Sequence, residues 1–355
     1  MVLKKIAIIK GDGVGPEVIN EGLKILKIVN DYSDLDLEFC DAPAGGAVYK
    51  AHGVSLPEKS LNIIKQSDAI LFGAIGLPDL PPGVAEIAIL NIRQGFDLYV
   101  NLRPVKLYET AKDCCPLKDE FIREGIDITF VRENTEGIYK NIGELKEDEA
   151  HNIMLYTRKG CERIIKHAFE IARKKGHKKI TSVDKANILK PSQLWRKIFH
   201  EIAIDYPGIQ TEDIYIDAFC QWLIRTPYAF QTVVTGNMFG DIISDEAAFL
   251  LGSLGMASSG NIHPGKLSMY EPIHGSAPDI AGKGIANPIG TILSVKLMME
   301  ESFQRNDIAK NIEECVEQAL SEGRTADIKL DGLKVMTTVE MGDLIANKLK
   351  IMLKQ

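Results

Sequence analysis

Cysteine is scarce and irregularly spaced in this chain of 355 residues. The six cysteines form no Cys-x-x-Cys pair and no regular framework, which argues against a small disulfide-stapled domain. The adjacent Cys114 and Cys115 lack nearby ligand residues, so we interpret them as a loop or a partly buried pair rather than as metal ligands. This pattern favours a reduced protein of the cytoplasm.

Long apolar runs and a surplus of basic residues are also missing. No apolar run approaches the roughly 20 residues that span a bilayer, so we expect no membrane-spanning helix. Residues 1–10 lack the longer apolar region and the small-residue cleavage site of a signal peptide, and residues 6–9 are typical of a first buried strand. The net charge of -7 argues against a general nucleic-acid binder, which usually presents a basic face.

Apolar segments alternate with amphipathic segments along the chain, which is typical of an α/β fold. The predicted strands cover residues 6–9, 69–72, 127–131, 179–183, 214–217 and 233–235. The predicted helices cover residues 16–29, 157–175, 193–204 and 308–321. No Gly/Ser-rich or Pro-rich linker divides the chain, so two domains would be interleaved rather than joined end to end.

Three aspartates are candidate metal ligands. Asp241 and Asp245 lie four residues apart, and a helix that begins near Phe239 would place both on one face. Two carboxylates at this distance are unfavourable without a cation, and a hard divalent ion such as Mg²⁺ or Mn²⁺ takes oxygen ligands. Asp217, at the end of a predicted strand, is a candidate third ligand. The alternative interpretation is a solvated helix start, where the helix dipole favours acidic side chains.

Three arginines, a lysine and a tyrosine suit an anionic substrate and proton transfer. Arg93, Arg103 and Arg132 lie in loop or strand-end contexts, where the guanidinium fork can meet a carboxylate. Ordinary surface ion pairs are the alternative. Lys185 follows a predicted strand, and a lysine in a partly dry site can act as a base. Tyr139 could return a proton, although both residues also suit plain surface or core positions.

Two glycine-rich segments predict turns or loops. Residues 271–287 predict a long ordered loop, which can bring backbone donors close to a ligand or be purely structural. Asp279 in this loop could accept both ribose hydroxyls of an adenosine, and its charge would repel a 2′-phosphate. The segment Gly11-Asp-Gly-Val-Gly-Pro-Glu17 has the spacing G-x-G-x-G, so we predict a strand-to-helix turn and reject a Rossmann fingerprint.

Together these segments resemble the β-decarboxylating dehydrogenases, the family that acts on isopropylmalate, isocitrate, homoisocitrate, tartrate and D-malate. The resemblance runs nearly end to end, from residue 11 to residue 342. Its most specific motifs are Asn101-Leu-Arg-Pro104, Val183-Asp-Lys-Ala-Asn187, Thr235-Gly-Asn-Met-Phe-Gly-Asp-Ile-Ile-Ser-Asp-Glu246 and His274-Gly-Ser-Ala-Pro-Asp279. It implies a two-domain α/β fold unlike the Rossmann fold, with residues 1–98 plus 253–355 in a cofactor-side domain and residues 99–252 in a central domain.

The resemblance also implies binding roles. Arg93, Arg103 and Arg132 would hold the malate part of a 2-hydroxy acid, and Asp217 would also contact this substrate. The ligands of Mg²⁺ or Mn²⁺ would be Asp217, Asp241 and Asp245. The residues implied to bind NAD are His274, Gly275, Ser276, Ala277, Asp279, Ile280 and Asn287. Among them, Asp279 holds the position that selects NAD over NADP.

A homodimer with shared active sites is implied as well, because Lys185 and Asp217 match positions that reach the partner subunit's site. Lys185 would help to remove the C2 hydroxyl proton while hydride passes to NAD⁺. Loss of CO₂ from the ketone would follow with the help of the metal, and Tyr139 would protonate the resulting carbon.

The segment before Arg93 bears on substrate choice. Glu86, Ile89 and Leu90 match the isopropylmalate pattern, in which an apolar patch receives the isopropyl group and contributes about 1–3 kcal/mol of selectivity. Isocitrate enzymes place Ser and Asn at the positions of Ile87 and Ile89, and two isoleucines cannot bind a third carboxylate. The resemblance therefore implies oxidative decarboxylation of 3-isopropylmalate to 4-methyl-2-oxopentanoate, a step of leucine biosynthesis.

Other segments favour another branch of the family. The stretch Val131-Arg-Glu-Asn-Thr-Glu-Gly-Ile-Tyr139 is closer to the isocitrate, homoisocitrate and tartrate enzymes than to the Arg-Glu-Leu-Thr-Gly-Gly-Ile-Tyr of many isopropylmalate enzymes. Residues 96–105 and 156–160 also resemble the tartrate and D-malate enzymes, whereas residues 183–187 fit the isopropylmalate form. A tartrate or D-malate dehydrogenase is thus the alternative, followed by homoisocitrate dehydrogenase. An inactive paralogue should have lost a metal aspartate, Lys185 or Tyr139, and this chain keeps them all.

Overall fold

The computed structural model describes residues 3–81 and 83–354, which form fourteen strands and twelve α-helices. The strands are β1 (Leu3–Gly11), β2 (Asp36–Asp41), β3 (Ala69–Ala74), β4 (Val100–Lys106), β5 (Asp127–Glu133), β6 (Gly143–Leu145), β7 (Ala150–Asn152), β8 (Lys179–Asp184), β9 (Gln210–Tyr215), β10 (Thr232–Thr235), β11 (Ser258–Ile262), β12 (Ser268–Pro272), β13 (Gly323–Thr325) and β14 (Lys334–Met336). The helices are α1 (Gly15–Tyr32), α2 (Gly46–His52), α3 (Glu58–Lys65), α4 (Glu86–Gly95), α5 (Asp119–Ile122), α6 (Arg158–Lys175), α7 (Lys190–Ala203), α8 (Ile216–Arg225), α9 (Asn237–Phe249), α10 (Ile289–Glu301), α11 (Asn306–Glu322) and α12 (Thr338–Leu353). No helix in this part of the chain is long and apolar enough to cross a membrane.

Five of the six predicted strands are confirmed, and the prediction for residues 214–217 is wrong in its second half. Strand β9 ends at Tyr215, and Asp217 lies in the first turn of α8. The buried side chains of Phe219 and Leu223, four residues apart, give this segment a helical apolar face. An acidic side chain in the first turn is also favoured by the helix dipole.

The predicted helices are confirmed with small shifts at their ends. Thr157 caps α6 by accepting a hydrogen bond from Gly160 N, and Gly176 ends that helix in the left-handed region, as expected for a C-terminal glycine. Helix α9 begins at Asn237, two residues before the predicted start, so Asp241 and Asp245 do share one helix.

One compact unit contains residues 3–96, 108–116 and 251–354. Its sheet has the order β2-β1-β3-β12-β11, with β11 antiparallel to β12 and the other neighbours parallel. Helices α1, α10, α11 and α12 pack on one another around it, and β3 is buried throughout. Because β1 and β3 run parallel, with Gly11 opposite Ala74, the segments that follow them meet at one edge. This strand order differs from that of a Rossmann fold.

The second compact unit contains residues 97–107 and 117–250. Its sheet has the order β4-β5-β10-β8-β9, in which β4 is antiparallel to β5 and the other neighbours are parallel. Helices α6, α7 and α9 contact this sheet. In the register, Thr235 lies opposite both Arg132 and Val183, so β5, β8 and β10 end at the same edge. Ligands of open α/β sheets usually bind beyond such carboxyl ends.

These bounds differ from the predicted domains by two residues at each boundary and in one segment, Tyr108–Pro116, which belongs to the first unit. Arg324, a buried residue of that unit, explains the difference. Its guanidinium lies 2.7 Å from Cys114 Sγ and 3.1 Å from Asp113 Oδ1. These contacts tie the segment to β13. All six cysteines are free thiols.

Candidate active site

Two arginines and two aspartates meet at the carboxyl edge of the sheet in the second unit. Arg103 Nη1 lies 2.6 Å from Asp245 Oδ1, and Arg103 Nη2 lies 3.4 Å from Asp241 Oδ1. Arg132 also donates to Asp241 Oδ1. The arginine side chains are almost fully buried, whereas 35% of Asp241 and 50% of Asp245 is exposed. The cluster therefore presents carboxylate oxygens, backed by buried cations, where a small solute can reach them.

The arginines of this cluster are held by α9. Asn237 Oδ1 accepts from Arg132 Nε at 3.1 Å and from Nη2 at 2.7 Å, and Ser244 Oγ accepts from Arg103 Nη1 at 2.8 Å. Gly240 makes this approach possible, since a Cβ there would lie 2.6 Å from Arg132 Cγ. Asn237 was not among the predicted site residues, although it stands inside the motif that carries the two aspartates.

Tyr139 contacts one of these carboxylates. It lies on a short 3₁₀ turn, Ile138–Lys140, and its hydroxyl donates to Asp241 Oδ2 at 2.9 Å. Burial, followed by the nearby Asp241 carboxylate, raises the pKa of Tyr139 above its ordinary value of 10.0. The phenol is therefore neutral at physiological pH and keeps a proton to donate.

Asp241 and Asp245 fit a divalent metal by their chemistry. They provide hard oxygen donors one turn apart on α9. Burial raises the pKa of Asp245 against the opposing charge of Arg103, and the nearby Asp241 carboxylate raises it further. Among residues 3–81 and 83–354, however, no group of three His, Cys, Asp or Glu side chains is placed to hold one metal ion. The predicted set with Asp217 is therefore incomplete within a single chain.

Lys185 and Asp217 form a second pair. Lys185 Nζ donates to Asp217 Oδ1 at 2.5 Å, and this hydrogen bond lowers the pKa of Asp217. Asp184, the residue before Lys185, is held in place by Arg196, which donates hydrogen bonds from Nε at 2.9 Å and from Nη2 at 2.7 Å. Both members of the pair thus follow strands β8 and β9 at one edge of the sheet, as parallel pairing requires.

In the first unit, the predicted substrate-recognition residues share one face of α4. Glu86, Ile89, Leu90 and Arg93 are spaced three, four and seven residues from the first, which is one helical stripe. Ile89 and Leu90 are half-buried, and Glu86 is exposed. Ile87 lies on another face and is exposed. Of the two isoleucines considered in the sequence analysis, Ile89 is thus the one that accompanies Arg93.

Arg93 has a partner that was not predicted. Its Nη2 donates to Glu271 Oε1 at 2.8 Å, and Asn261 Nδ2 donates to the same oxygen at 2.7 Å. The Nε atoms of Arg93 and Arg103 are buried and have no hydrogen-bond partner among the described residues. Such N–H groups are costly to leave unsatisfied, so they fit an anionic ligand oxygen.

A cavity of about 180 Å³ in the first unit contains four of the seven predicted cofactor residues. The four are His274, Ala277, Ile280 and Asn287, and the other lining residues are Val14, Ser253, Leu254, Gly255, Ile285, Ala286 and Asp327. Gly275, Ser276 and Asp279 belong to the same loop but do not line the cavity. Its mainly apolar walls with a few polar groups suit a flat heteroaromatic ring such as adenine.

His274 offers a single acceptor to this cavity. Its Nδ1 lies 2.9 Å from the carbonyl oxygen of Gly275, so Nδ1 carries the proton and Nε2 is left as an acceptor. Nε2 is buried without a partner among the described residues. Burial also lowers the pKa of His274, which keeps the ring neutral and suited to an amino-group donor.

The glycine-rich turn between β1 and α1 contacts the loop of residues 274–287, which carries the predicted cofactor residues and is called the cofactor loop below. Val14 N donates to Ser276 O at 2.8 Å, and Gly13 lies so close that a Cβ would be 1.9 Å from this oxygen. Glu17, in the first turn of α1, accepts from the backbone N–H of Gly282. The predicted strand-to-helix turn is confirmed, and its glycine serves close packing against a neighbouring loop.

Comparison with known proteins agrees with the family resemblance of the sequence motifs. The family model described as isocitrate/isopropylmalate dehydrogenase matches residues 5–345. The chain belongs to this family. A 3-isopropylmalate dehydrogenase of Clostridium acetobutylicum is 44% identical over 97% of this chain and 99% of its own length. The 3-isopropylmalate dehydrogenase of Thermotoga maritima is 45% identical over 98% of this chain and 99% of its own length.

Solved structures of the family have the same fold. The isocitrate dehydrogenase from Methylococcus capsulatus superposes with a TM-score of 0.88 at 35% identity, covering 98% of this chain and 99% of that one. The apo form of a β-decarboxylating dehydrogenase from Thermococcus kodakarensis gives 0.81 at 35% identity, covering 99% and 98%. The mixed α/β class expected from the sequence is thereby confirmed.

Two residues that set the chain apart from many isopropylmalate enzymes are structural. Asn134, where those enzymes have Leu, is buried and donates from Nδ2 to Leu98 O at 2.8 Å. Glu136, where they have Gly, is buried and accepts from Thr157 N and Oγ1, both at 2.8 Å. Both distinctive side chains therefore form hydrogen bonds within the protein.

The other unusual segment, residues 156–160, is the partner of Glu136. A Cβ on Gly160 would lie 2.2 Å from Glu136 Oε2, so the carboxylate fits only against a glycine in α6. Glu136 and the segment 156–160, two of the features that resemble the tartrate branch, therefore form one packing arrangement.

Proposed function

We propose that this chain catalyses the NAD-dependent oxidative decarboxylation of 3-isopropylmalate to 4-methyl-2-oxopentanoate. The observation that carries the proposal is the stripe on α4, where Ile89 and Leu90 lie between Glu86 and Arg93. Relatives that are 43–45% identical over nearly the whole chain and bear the name 3-isopropylmalate dehydrogenase support it. We place the reaction in leucine biosynthesis in the cytoplasm.

The substrate roles follow from charge and polarity. Arg103 and Arg132 are buried cations with fixed forks that suit the substrate's carboxylates, and Arg93 adds a third guanidinium next to the apolar stripe. An isopropyl group gains about 1–3 kcal/mol from Ile89 and Leu90, relative to a substrate without it. A third carboxylate, as in isocitrate, would lose hydration there without gaining a partner.

The chemistry divides between a base and an acid. When bound, NAD⁺ supplies the hydride acceptor, and Mg²⁺ or Mn²⁺ at Asp241 and Asp245 supplies Lewis-acid polarisation of the substrate oxygen. Lys185 takes the proton from the C2 hydroxyl as the C2 hydride leaves. After CO₂ has departed, Tyr139 gives its phenolic proton to the carbon that held the carboxylate. Its raised pKa keeps that proton in place until then.

We infer further that the protein works as a homodimer with shared sites. The β6–β7 hairpin is exposed at all six positions, with Leu145 84% exposed, and an isolated two-stranded hairpin is marginally stable in water. Helices α8 and α9 expose Trp222, Ile242 and Phe249, which a partner would cover. A partner would also bring a second copy of Lys185 and Asp217 to the two aspartates of α9.

The substrate assignment is tested by NADH formation with Mn²⁺ and saturating NAD⁺. The panel is 3-isopropylmalate, D-malate, tartrate, isocitrate and homoisocitrate. We expect kcat/KM for 3-isopropylmalate to exceed the others by about tenfold or more, which is about 1.4 kcal/mol. A higher value for D-malate or tartrate would reject the role of the α4 stripe and leave the reaction type intact.

The shared site is tested by mixing two inactive variants. Lys185→Ala and Tyr139→Phe are each unfolded, mixed and refolded together. If the sites are shared, mixed dimers contain one site with both defects and one site with neither, so part of the activity returns. Activity that stays at the level of the separate variants, in a preparation shown to be dimeric by light scattering, would reject shared sites.

A further inference from the structure

Asn237 is the neutral partner of a cationic side chain. The guanidinium of Arg132 donates to Asn237 Oδ1 from both Nε (3.1 Å) and Nη2 (2.7 Å), while Nη1 donates to Asp241. Asn237 is 1% exposed and opens helix α9. A neutral acceptor fixes the orientation of the guanidinium and, unlike a carboxylate, adds no negative charge beside it.

The amide of Asn237 cannot turn over without losing bonds. Its Nδ2 donates to Glu136 O at 3.0 Å, so only Oδ1 is left to face Arg132. Its backbone N–H donates to Tyr156 Oη at 2.7 Å, and Tyr156 is held in place by an edge-on contact with the ring of Trp195 at 5.9 Å. The hydrogen bonds of Nδ2 and of the backbone N–H therefore fix the position from which Asn237 Oδ1 faces Arg132.

We propose that Asn237 is a positioning residue for substrate binding. It orients the Arg132 fork toward the substrate's carboxylate and places no further negative charge beside the guanidinium. The proposal rests on the proposed function, because it assigns Arg132 to the substrate. A carboxylate at position 237 would keep the shape but would add a negative charge that opposes the anionic substrate, and an alanine would release the fork.

The test compares three variants. Asn237→Asp keeps the side-chain volume and adds a negative charge, and Asn237→Ala removes the acceptor. Asn134→Ala is the matched control, because Asn134 is also a buried asparagine of this unit and its Nδ2 donates to the backbone oxygen of Leu98. For each, kcat and both KM values are measured, together with the Kd of 3-isopropylmalate with Mn²⁺ by calorimetry in the absence of NAD⁺.

We expect Asn237→Ala to raise the Kd and KM of the 2-hydroxy acid about ten- to a hundredfold and to change the KM of NAD⁺ less than about twofold. Asn237→Asp should raise the Kd and KM of the 2-hydroxy acid further. This variant tests the proposal even where the alanine variant fails to fold. Asn134→Ala should lower thermal stability without raising the KM of the 2-hydroxy acid relative to that of NAD⁺.

Two results would overturn the proposal: an Asn237→Asp enzyme with unchanged substrate affinity, or equal increases in both KM values that Asn134→Ala reproduces. If the wild-type chain does not turn over 3-isopropylmalate, the proposed function fails by itself. The same variants are then compared on whichever acid of the panel the wild type does oxidise.

Discussion

Gly13 allows the sharpest test of how the glycine-rich turn supports the cofactor loop. It adopts φ +57°, and an added Cβ would lie 1.9 Å from the carbonyl oxygen of Ser276. Reaching an ordinary contact distance of 3.4 Å requires a retreat of about 1.5 Å by that backbone. The hydrogen bond from Val14 N to Ser276 O would then be lost.

The magnitude has two parts. An alanine in the left-handed region costs about 1 kcal/mol relative to glycine, and the lost hydrogen bond costs about 1 kcal/mol more. Gly53→Ala separates them, because Gly53 has φ +74° and nothing lies within 4 Å of its added Cβ. We therefore expect about 2 kcal/mol of destabilisation for Gly13→Ala and about 1 kcal/mol for Gly53→Ala.

The functional assay is NAD⁺ binding. Because a shift of about 1 Å in a binding element can cost up to about a hundredfold, Gly13→Ala should raise the Kd of NAD⁺ at least about tenfold. Gly53→Ala should leave it unchanged. Urea unfolding gives the stabilities, and calorimetry gives the affinities. Equal NAD⁺ affinity in the two variants would refute the reasoning that this turn positions the loop.

Three further predictions concern single side chains. Tyr139→Phe should lower kcat about a hundredfold or more with little change in KM, measured by steady-state kinetics; an unchanged kcat would remove it from proton transfer. Asp279→Ser should raise kcat/KM for NADP⁺ relative to NAD⁺ by about tenfold, since the charge that repels a 2′-phosphate is gone, and an unchanged ratio would argue against this role. Burial lowers the folded-state pKa of His274 below 6.5, so the unfolded chain binds the proton more tightly and stability falls as pH drops below that value. His274→Gln should lose this part of the pH dependence in urea unfolding at about pH 7.5 and 5.5, and an identical dependence would contradict it.

Local sequence patterns predicted most of the elements that carry the site. Strand β5 ends next to Arg132 as predicted, and Asp241 and Asp245 lie on one helix because their spacing is one turn. The failure at Asp217 is also local in origin. The segment 214–217 looks like the end of a strand, but the buried Phe219 and Leu223 that follow convert it to a helix start.

The partners of the site residues were not predictable in the same way. Asn237 lies 105 residues from Arg132, and Glu271 lies 178 residues from Arg93. No periodicity or spacing joins positions so far apart, because their contact depends on the order and register of strands in a sheet. The hydrogen bonds of the buried Asn134 and Glu136 were not predictable either, because they also join separate segments of the chain.

The sequence by itself therefore determined the α/β class, the helix that carries the aspartates, and the family motifs, since each rests on residues close together in the chain. The tertiary structure alone decided which arginine meets which acid, which polar groups remain without a partner, and which unusual residues point inward. Burial and hydrogen bonding act between segments that the fold brings together, and these interactions set the charge and orientation of the candidate site.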